Sequence, residues 1–532
     1  MNNPQKIIAF TGSSLLLLSA NSVLAQQPKQ PKSRPNILFI LSDDHAKTAI
    51  SAYGSDLSKI APTPNIDKIA KSGVLFSNML CTNAISGPSR ACLLTGKFST
   101  ANGFTQNEGG VIFDGSQPTV SKYLQATGYT TSLFGKWHLF SDPTGFDYWM
   151  IHDNPGQQGT YWDPIFKVNG KQEIRKGYAT DLTADAALAW LNDNRDKSKP
   201  FCMMLNFKAP HRPWEPNSKY EHLFDDITIP TPETFDDDYS GRELTLGKNM
   251  ATIAHHLSRG DLKMTSPDSL KGGKLEKWLS YGMLGERQMV TPDPKMSEKE
   301  LKMWKFQKYM KDYLRCVRSV DDNVGRVIDY LKANGLYENT LIIYMGDQGF
   351  YLGEHGLFDK RWMYEESLQM ACLISLPSSI KNPGMRQIPE LVMNVDIMPT
   401  LLDYAGVKIP TDVHGESLRP LLEQSPKAKT WRKSAYYQYF EYPRYHNVQP
   451  HYGVRTDRYK LIHFYYDIDV WEFYDLKTDK NELKNQYNNP IYQKQIAEMK
   501  KEIVRLQKKY QDDLTLEQRK ELTTKHMRRY EE

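Results

Sequence analysis

The chain has 532 residues, of which 39% are hydrophobic and 25% are charged, with 33 Gly and 30 Pro along its length. This composition is typical of a globular protein and excludes a collagen-like, coiled-coil or wholly disordered chain. The formal net charge of +5 is too small for a protein that binds nucleic acid through its phosphates. We therefore expect no nucleic-acid partner.

The N-terminus predicts export. Lys6 precedes two short apolar runs at residues 7–10 and 15–18, and Ala25 ends a stretch of small residues suited to cleavage, so residues 1–25 are predicted to be a signal peptide. The apolar stretch is shorter than the ~20 residues that span a bilayer. We expect no stable membrane anchor, an extended polar leader at residues 26–35, and a periplasmic or secreted protein.

The cysteine pattern predicts no disulfide framework. Five cysteines occur at wide and irregular spacing, without a CxxC pair. Because their number is odd, at least one thiol must stay unpaired within the chain.

Polar residues directly follow four apolar runs that have the length of buried strands. The runs and the residues that follow them are 36–41 with Asp43 and Asp44, 341–344 with Asp347 and Gln348, 129–134 with Lys136 and His138, and 201–207 with His211. In an open α/β sheet the ligand site lies outside the carboxyl ends of the strands. We therefore expect these four strand ends to converge on one crevice.

Helical patterns between the apolar runs indicate the crossovers of an α/β fold. Residues 181–190 and 317–331 show apolar spacing of three to four, and the second pattern ends at Asn334 and Gly335, a suitable C-terminal cap. We predict a large domain with a mostly parallel central sheet flanked by helices. Asp321 and Asp322 fall inside the second helix and are interpreted as part of a solvated face.

Two acidic strand ends suggest a metal site. Asp43, Asp44, Asp347 and Gln348 offer only hard oxygen ligands, which suit Ca²⁺, or less well Mg²⁺, and not Zn²⁺. An isolated Asp-Asp pair is more often part of a turn or a helix cap than a metal site. Here, acidic residues follow two predicted strands that are far apart in sequence, and this favours the metal interpretation. His45, beside the aspartates, is interpreted as a structural residue.

A serine motif provides the most specific signal. Residues 86–96 read SGPSRACLLTG and resemble the maturation signature of the formylglycine sulfatases, [C/S]-x-P-S-R-x-x-x-x-T-G, whose first residue is oxidised to 3-oxoalanine. Neither Cys81 nor Cys92 has Pro at +2 and Arg at +4, so Ser86 is the matching position. A proline turn followed by a helix is the alternative interpretation. The resemblance implies a bacterial, serine-type sulfatase-maturing enzyme as a partner.

The resemblance extends over nearly the whole mature chain and implies the alkaline-phosphatase-like sulfatase fold. Further matching segments are 34–38, 135–138, 210–213, 346–349, 352–366 and 394–400. Gln348 stands where many members have Asn or His, and its amide oxygen is still a hard ligand.

The resemblance also implies the metal ligands and the residues that hold the reacting group. Formylglycine made from Ser86 would share a Ca²⁺ with the four oxygen ligands and would be held by Arg90. Lys136 and Lys360 would neutralise sulfate oxygens.

Three histidines complete the implied site. His211 would protonate the leaving alcohol and His138 would take the proton from the sulfated hydrate. His355 would either contact the substrate or shape its loop.

The C-terminal part is predicted to be a smaller α+β domain. A shift to charged and proline-bearing sequence suggests a boundary between a catalytic domain at 36–425 and a C-terminal subdomain at 430–532. Short strands at 434–440, 452–455, 459–465 and 470–474 are followed by an amphipathic helix at 493–510. The tyrosine-rich residues 442–452 would either stack on sugar faces or pack internally.

These features predict an exported sulfatase that acts on a sulfated glycan. The whole chain looks closest to the N-acetylglucosamine-6-sulfatase branch, which implies removal of 6-O-sulfate from N-acetylglucosamine in heparan sulfate or mucin and a role in glycosaminoglycan degradation. The alternatives are a uronate 2-O-sulfatase, a phosphoester hydrolase of the alkaline-phosphatase superfamily, and a non-catalytic glycan-binding protein that keeps Ser86 unoxidised.

Overall fold

The computed structural model describes residues 34–107, 110–153, 156–264, 290–380 and 384–527. The predicted signal peptide lies outside these residues, and only Arg34 and Pro35 of the predicted leader lie within them. Among the described residues, no helix combines the length and the apolar character that crossing a membrane requires.

Seventeen strands form three sheets in the described residues. They are β1 Asn36–Ser42, β2 Gly73–Leu80, β3 Thr130–Gly135, β4 Tyr148–His152, β5 Ile165–Val168, β6 Lys171–Ile174, β7 Phe201–Phe207, β8 Thr340–Gly346, β9 Tyr351–Leu352, β10 Phe358–Asp359, β11 Gln369–Met370, β12 Cys372–Ser375, β13 Arg386–Met393, β14 Ser434–Tyr439, β15 His451–Thr456, β16 Tyr459–Phe464 and β17 Val470–Asp475.

The large sheet has the order β11-β2-β12-β8-β1-β7-β3-β4-β5-β6, with β13 paired to β2. Its centre, β8-β1-β7-β3-β4, is parallel throughout. The pairs of β12 with β8 and β2, of β11 with β2, and of β4 with β5 and β5 with β6 are antiparallel. The predicted parallel sheet is therefore confirmed at its centre, while the flanks make it a mixed sheet.

Both faces of this sheet are buried, which explains the continuous apolar runs. Along β1, Ile37, Phe39 and Leu41 join one hydrophobic cluster and Leu38 and Ile40 join another. Successive side chains of a strand point to opposite faces, so one apolar run serves two cores.

Helices cover both faces. The α-helices are Leu57–Ile60, Pro64–Lys71, Ser86–Thr95, Ser99–Asn102, Val120–Ala126, Ala179–Ala189, Glu243–Leu246, Glu298–Ala333, Glu365–Leu368, Ile397–Tyr404, Arg419–Leu422, Gln493–Lys509 and Leu516–Met527. The longest begins at a capping box of Ser297 and Glu300, well before the predicted start at residue 317, and ends at Asn334 as predicted.

Asp321 corrects one interpretation. Its side chain is buried rather than solvated, and its Oδ1 accepts hydrogen bonds of 2.9 Å from the backbone N–H groups of Asn65 and Ile66. Asp321 of the long helix thus caps the beginning of the helix Pro64–Lys71. This contact could not be predicted from the sequence, because the two helices lie far apart along the chain.

The C-terminal residues form the predicted antiparallel sheet. Its order is β14-β15-β16-β17, and the strands begin and end within a residue or so of the predicted bounds. The helix Gln493–Lys509 packs on it through a buried stripe of Ile496, Met499, Ile503 and Leu506. Residues of this sheet and of one face of the large sheet share a single hydrophobic cluster. The described residues from Pro35 onward form one compact unit.

All five cysteines are buried and none is bonded to another. The expectation of a chain without a disulfide framework is confirmed.

Candidate active site

The four strand ends that carry polar residues lie side by side. In the sheet order β8-β1-β7-β3 these strands are neighbours and run parallel, so their carboxyl ends share one edge. Asp347 and Gln348 follow β8, Asp43 and Asp44 follow β1, and Lys136 follows β3. The expected convergence on one crevice is therefore observed.

Three carboxylates form the centre of this crevice. Asp43, Asp44 and Asp347 are fully buried, and each offers an oxygen within 4.8 Å of the others. The amide nitrogen of Gln348 donates to Asp44 at 2.5 Å, while its buried amide oxygen has no hydrogen-bond partner among the described residues. Four hard oxygen donors, one of them unsatisfied, fit a divalent cation of the calcium or magnesium type.

Arg90 ties two of the carboxylates together. Its Nη2 donates to Asp347 Oδ2 at 3.0 Å and to Asp43 Oδ1 at 3.3 Å, and its Nη1 donates to the carbonyl oxygen of Lys136 at 2.8 Å. The planar guanidinium serves all three acceptors at once, which a lysine could not do.

Two buried lysines face the same carboxylates from opposite sides. Lys136 forms an ion pair with Asp43, and Lys360 Nζ lies 2.6 and 2.8 Å from the two oxygens of Asp44. Asp359 and Asp44 raise the pKa of Lys360 despite its burial, so its charge is retained. Three cations and three carboxylates thus surround one point.

Ser86 lies among these charges. It is the first residue of the helix Ser86–Thr95, and its Oγ donates to Asp43 Oδ1 at 3.2 Å. The next residue must be glycine, because a Cβ at Gly87 would lie 2.5 Å from Asn107 Oδ1 and 2.6 Å from a ring carbon of Phe104. Gly87 N–H donates to that Asn107 oxygen at 3.0 Å, which fixes the turn beside Ser86.

His211 lies at the edge of the charge cluster, with Nε2 3.8 Å from Asp44 Oδ2. Its Nδ1 is 2.7 Å from the carbonyl oxygen of Arg212. Because a carbonyl only accepts, Nδ1 carries the hydrogen and Nε2 is the nitrogen that faces the site. Burial, and then Lys136, hold the pKa of His211 well below its usual range.

His138 follows β3 and is also buried. Its Nε2 lies 2.9 Å from the amide nitrogen of Gln158, which only donates, so Nε2 accepts and Nδ1 carries the hydrogen when the ring is neutral. Burial, reinforced by Lys136, holds the pKa of His138 well below its usual range.

His355 lies in a different environment from the other two histidines. It is fully buried, its Nδ1 is 2.6 Å from Asp237 Oδ2, and its Nε2 is 3.7 Å from Glu366 Oε2. Both ring nitrogens therefore face carboxylates of the protein. Its predicted contact with substrate stays a prediction, and these contacts favour the alternative, in which it shapes the loop. His45 bonds Tyr344 at 2.6 Å, as suits a structural residue.

Sequence reasoning missed a second ring of charges around Lys360. His446 Nε2 lies 3.1 Å from Asp359 Oδ2, and Arg361 pairs with Glu441. The sequence did show that Asp359 and Arg361 flank Lys360, which could have marked them as site residues. Their partners, however, lie in the C-terminal part of the chain, and a local sequence pattern cannot predict contacts between such distant segments.

Several site residues hold left-handed backbone conformations. The φ angles are 60° at Asp44, 57° at His138, 74° at Asp359 and 107° at Arg361. Such conformations cost non-glycine residues of order 1–3 kcal/mol each and cluster at functional sites. Their concentration here supports this crevice as the active site.

Comparison with known proteins identifies the family. The family model described as sulfatase matches residues 35–407, and the model described as N-sulphoglucosamine sulphohydrolase, C-terminal, matches residues 353–509. The first match alone spans most of the chain.

Individual relatives agree with the family models. The chain is 45% identical to an N-acetylglucosamine-6-O-sulfatase of Bacteroides thetaiotaomicron over 95% of this chain and 93% of that protein. It is 26% identical to the N-acetylglucosamine-6-sulfatase of Capra hircus over 76% of this chain and 66% of that protein.

Solved structures share the fold. The structure of BT4656 in complex with its substrate D-glucosamine-2-N,6-O-disulfate has a TM-score of 0.83 and 43% identity, covering 90% of this chain and 99% of that one. A phosphonate monoester hydrolase from Silicibacter pomeroyi has a TM-score of 0.69 at 20% identity, covering 90% and 96%, and shares the fold alone. The predicted alkaline-phosphatase-like sulfatase fold is thereby confirmed. The chain belongs to the sulfatase family and is a sulfuric ester hydrolase.

Proposed function

We propose that this protein is an exported, calcium-dependent sulfatase that uses formylglycine made from Ser86 to hydrolyse the 6-O-sulfate of N-acetylglucosamine or a related glucosamine in a glycan. The observation that carries the proposal is the position of Ser86. The serine of the maturation motif bonds Asp43 at the centre of a cluster in which Lys136, Lys360 and Arg90 face three carboxylates.

The substrate assignment is supported by relatives. The chain is 45% identical, over 95% of its length, to an N-acetylglucosamine-6-O-sulfatase. The structure with a TM-score of 0.83 holds D-glucosamine-2-N,6-O-disulfate as its substrate. Both point to a glucosamine that carries sulfate at O6.

The proposed chemistry explains why an unmodified serine would not suffice. A serine hydroxyl is a weak nucleophile. One hydroxyl of hydrated formylglycine attacks sulfur and breaks the bond between sulfur and the sugar oxygen, which leaves as the alcohol. Deprotonation of the second hydroxyl then breaks the bond between the hydrate carbon and the sulfate oxygen, releases sulfate and regenerates the aldehyde, which water hydrates again. A Ca²⁺ held by Asp43, Asp44, Asp347 and Gln348 supplies charge that polarises sulfate oxygens. Lys136 and Lys360 stabilise negative charge on the sulfate, an effect of about 3–4 kcal/mol for one well-placed donor.

The histidines are proposed to move protons at two positions. His211 presents Nε2 toward the site while Nδ1 is held by the Arg212 carbonyl oxygen at 2.7 Å, so a proton on Nε2 can pass to the leaving sugar oxygen. His138 is proposed to take the proton of the sulfated hydrate on Nε2, which requires the amide nitrogen of Gln158 to move away from that nitrogen, because Nδ1 already carries a hydrogen. Burial and the adjacent lysine keep both rings neutral without substrate, and an anionic sulfate would favour protonation of His211.

Mass spectrometry of the peptide that contains Ser86 tests the modification. The protein is produced with and without a serine-type maturing enzyme. We expect Ser86 to lose two hydrogens only in the first preparation, and turnover to follow the modified fraction. Ser86→Ala, produced with the maturing enzyme, is the matched control and should be inactive. Full activity in protein whose Ser86 is entirely unmodified would refute the formylglycine mechanism.

A panel of sulfated sugars tests the substrate. We expect release of sulfate from 6-O-sulfated N-acetylglucosamine. A more distant relative, 25% identical over 88% of this chain, is a Δ4,5-hexuronate-2-O-sulfatase of Bacteroides thetaiotaomicron. The panel therefore includes a 2-O-sulfated unsaturated uronate, and turnover of that sugar in place of the 6-O-sulfated one would overturn the assignment.

Export is tested by sequencing the N-terminus of the protein recovered from a bacterial periplasm or medium. We expect the mature chain to begin near Gln26. A cytoplasmic protein that begins at Met1 would contradict the proposal.

A further inference from the structure

One loop of the C-terminal part is anchored to the active site at both ends. We call residues 441–447 the rim loop. At its start, Glu441 pairs with Arg361, and its Oε2 accepts from the backbone N–H of Asn107 at 2.7 Å. Asn107 in turn accepts from Gly87 at 3.0 Å, next to Ser86. The start of the rim loop is therefore fixed on the Ser86 side of the site.

The end of the rim loop is also fixed beside Lys360. His446 Nε2 lies 3.1 Å from Asp359 Oδ2, and Asp359 directly precedes Lys360. The His446 carbonyl oxygen accepts from Met250 N–H at 2.8 Å, and His446 Nδ1 lies 2.7 Å from the Met250 carbonyl oxygen. The rim loop is therefore anchored beside Lys360 at both ends and, at its start, also to the turn that follows Ser86.

Between these anchors the loop is exposed. Arg444 and Tyr445 form its tip, and 56% of the surface of Tyr445 is open to solvent. Met250, 50% exposed, and the exposed Lys248 lie on the adjoining segment, which Asn447 holds through a 2.8 Å hydrogen bond to the Lys248 carbonyl oxygen. We call Lys248, Met250, Arg444 and Tyr445 the rim patch.

The composition of the rim patch indicates what it binds. An exposed aromatic ring and a methionine offer apolar surface to the face of a sugar ring. Two exposed cations beside them favour a sugar that carries a carboxylate. The acidic residues of the anchors, Glu441 and Asp359, are buried and engaged with Arg361 and His446, so they do not oppose an anion at the surface.

We propose that the rim patch is a second-sugar site that binds a uronic acid joined to the 6-O-sulfated glucosamine. The inference rests on the proposed function, because it requires the sulfated glucosamine to occupy the crevice. It goes beyond that function by assigning residues to the neighbouring sugar and by favouring a uronate-containing glycan over one in which the neighbour is neutral.

Three substrates test the proposal with the matured enzyme. They are 6-O-sulfated N-acetylglucosamine, the disaccharide in which it is joined to glucuronic acid, and the disaccharide in which it is joined to galactose. We expect kcat/KM to be about threefold to tenfold higher on the glucuronic acid disaccharide than on the galactose disaccharide, as two exposed ion pairs would give. The preference should shrink at high salt, because exposed charges are screened.

Variants test whether the rim patch causes the preference for the glucuronic acid disaccharide. For each variant, kcat/KM on a disaccharide is divided by kcat/KM on the monosaccharide. The double variant Lys248→Ala, Arg444→Ala should lose the discrimination between the two disaccharides. Tyr445→Ala should lower the relative kcat/KM on both disaccharides by the same factor, because stacking of the tyrosine ring on a sugar does not depend on whether the sugar carries a carboxylate. The matched control Lys501→Ala, Lys508→Ala removes two exposed lysines of the helix Gln493–Lys509 and should retain the preference.

Equal kcat/KM on the two disaccharides, or a preference that survives the double variant, would overturn the proposal. Absence of sulfate release from the monosaccharide would instead refute the proposed function. In that case calorimetry with the two desulfated disaccharides still tests the rim patch, because tighter binding of the uronate disaccharide, lost in the double variant, is required.

Discussion

His355 provides the sharpest test of how the charges around the site are arranged. Burial by itself would lower the pKa of this histidine, but the hydrogen bond to Asp237 and the negative charges of Glu366 and Asp237 raise it to about 9 from the ordinary 6.5. At 1.36 kcal/mol per pH unit, this difference corresponds to at most about 3 kcal/mol of folding free energy. The imidazolium therefore stabilises the fold through its two carboxylate partners.

The sign of the pH dependence follows from the raised pKa. The stabilisation is fully present below about pH 6.5 and is lost as the pH rises toward 9, where the folded protein releases the proton. We expect His355→Gln to be less stable than the wild type by up to about 3 kcal/mol near pH 6, with the gap closing near pH 9.5. Urea unfolding followed by fluorescence across this range measures both curves.

Two controls separate His355 from its surroundings. Burial raises the pKa of Glu354 to about 7, but this residue titrates in both proteins and largely cancels in the comparison. His222→Gln makes the same change at a histidine whose side chain is 84% exposed and controls for the effect of the substitution itself. A constant gap between wild type and His355→Gln would refute the assigned charge pairs. A raised KM with no change in pH dependence would favour the substrate contact.

Three further predictions concern the site and its support. Lys136→Met or Lys360→Met should lower kcat about 10²-fold to 10³-fold while circular dichroism stays unchanged, and a wild-type rate would remove that lysine from the site. Asp321→Ala should lower the free energy of unfolding by about 1–3 kcal/mol, because the variant leaves the N–H groups that begin the helix Pro64–Lys71 without their acceptor, whereas Asp322→Ala should cost less. Dialysis against a chelator should abolish turnover, Ca²⁺ should restore it, and elemental analysis should find one ion per active chain; full activity in metal-free protein would contradict this.

The polar strand ends could be predicted because the sequence of a buried parallel strand is distinctive. Residues 36–41 and 341–344 are apolar on both faces and end abruptly in carboxylates. Parallel strands place all their carboxyl ends at one edge. The sequence therefore indicated which residues lie close together. The structure shows in addition that the strands they follow are adjacent in the sheet, in the order β8-β1-β7-β3.

Contacts between distant segments could not be predicted in the same way. The pairing of Asp359 with His446, and of Arg361 with Glu441, joins loops about 80 residues apart whose local patterns carry no mark of one another. The antiparallel flanks of the large sheet were missed for a related reason. β5 and β6 have only four residues each, too few for a periodic signal.

The charges of the site also explain why the net charge of +5 was uninformative. Arg90, Lys136 and Lys360 offset three buried carboxylates, so these six side chains together contribute nothing to the total. Carboxylates packed this closely repel one another, and burial strengthens the repulsion. Either cations of the protein or a bound divalent ion must compensate them. A divalent ion held by the carboxylates would replace the two lysines as their partners and would leave both lysines available to an anion. The six side chains and the ion together would then carry a formal charge of +2.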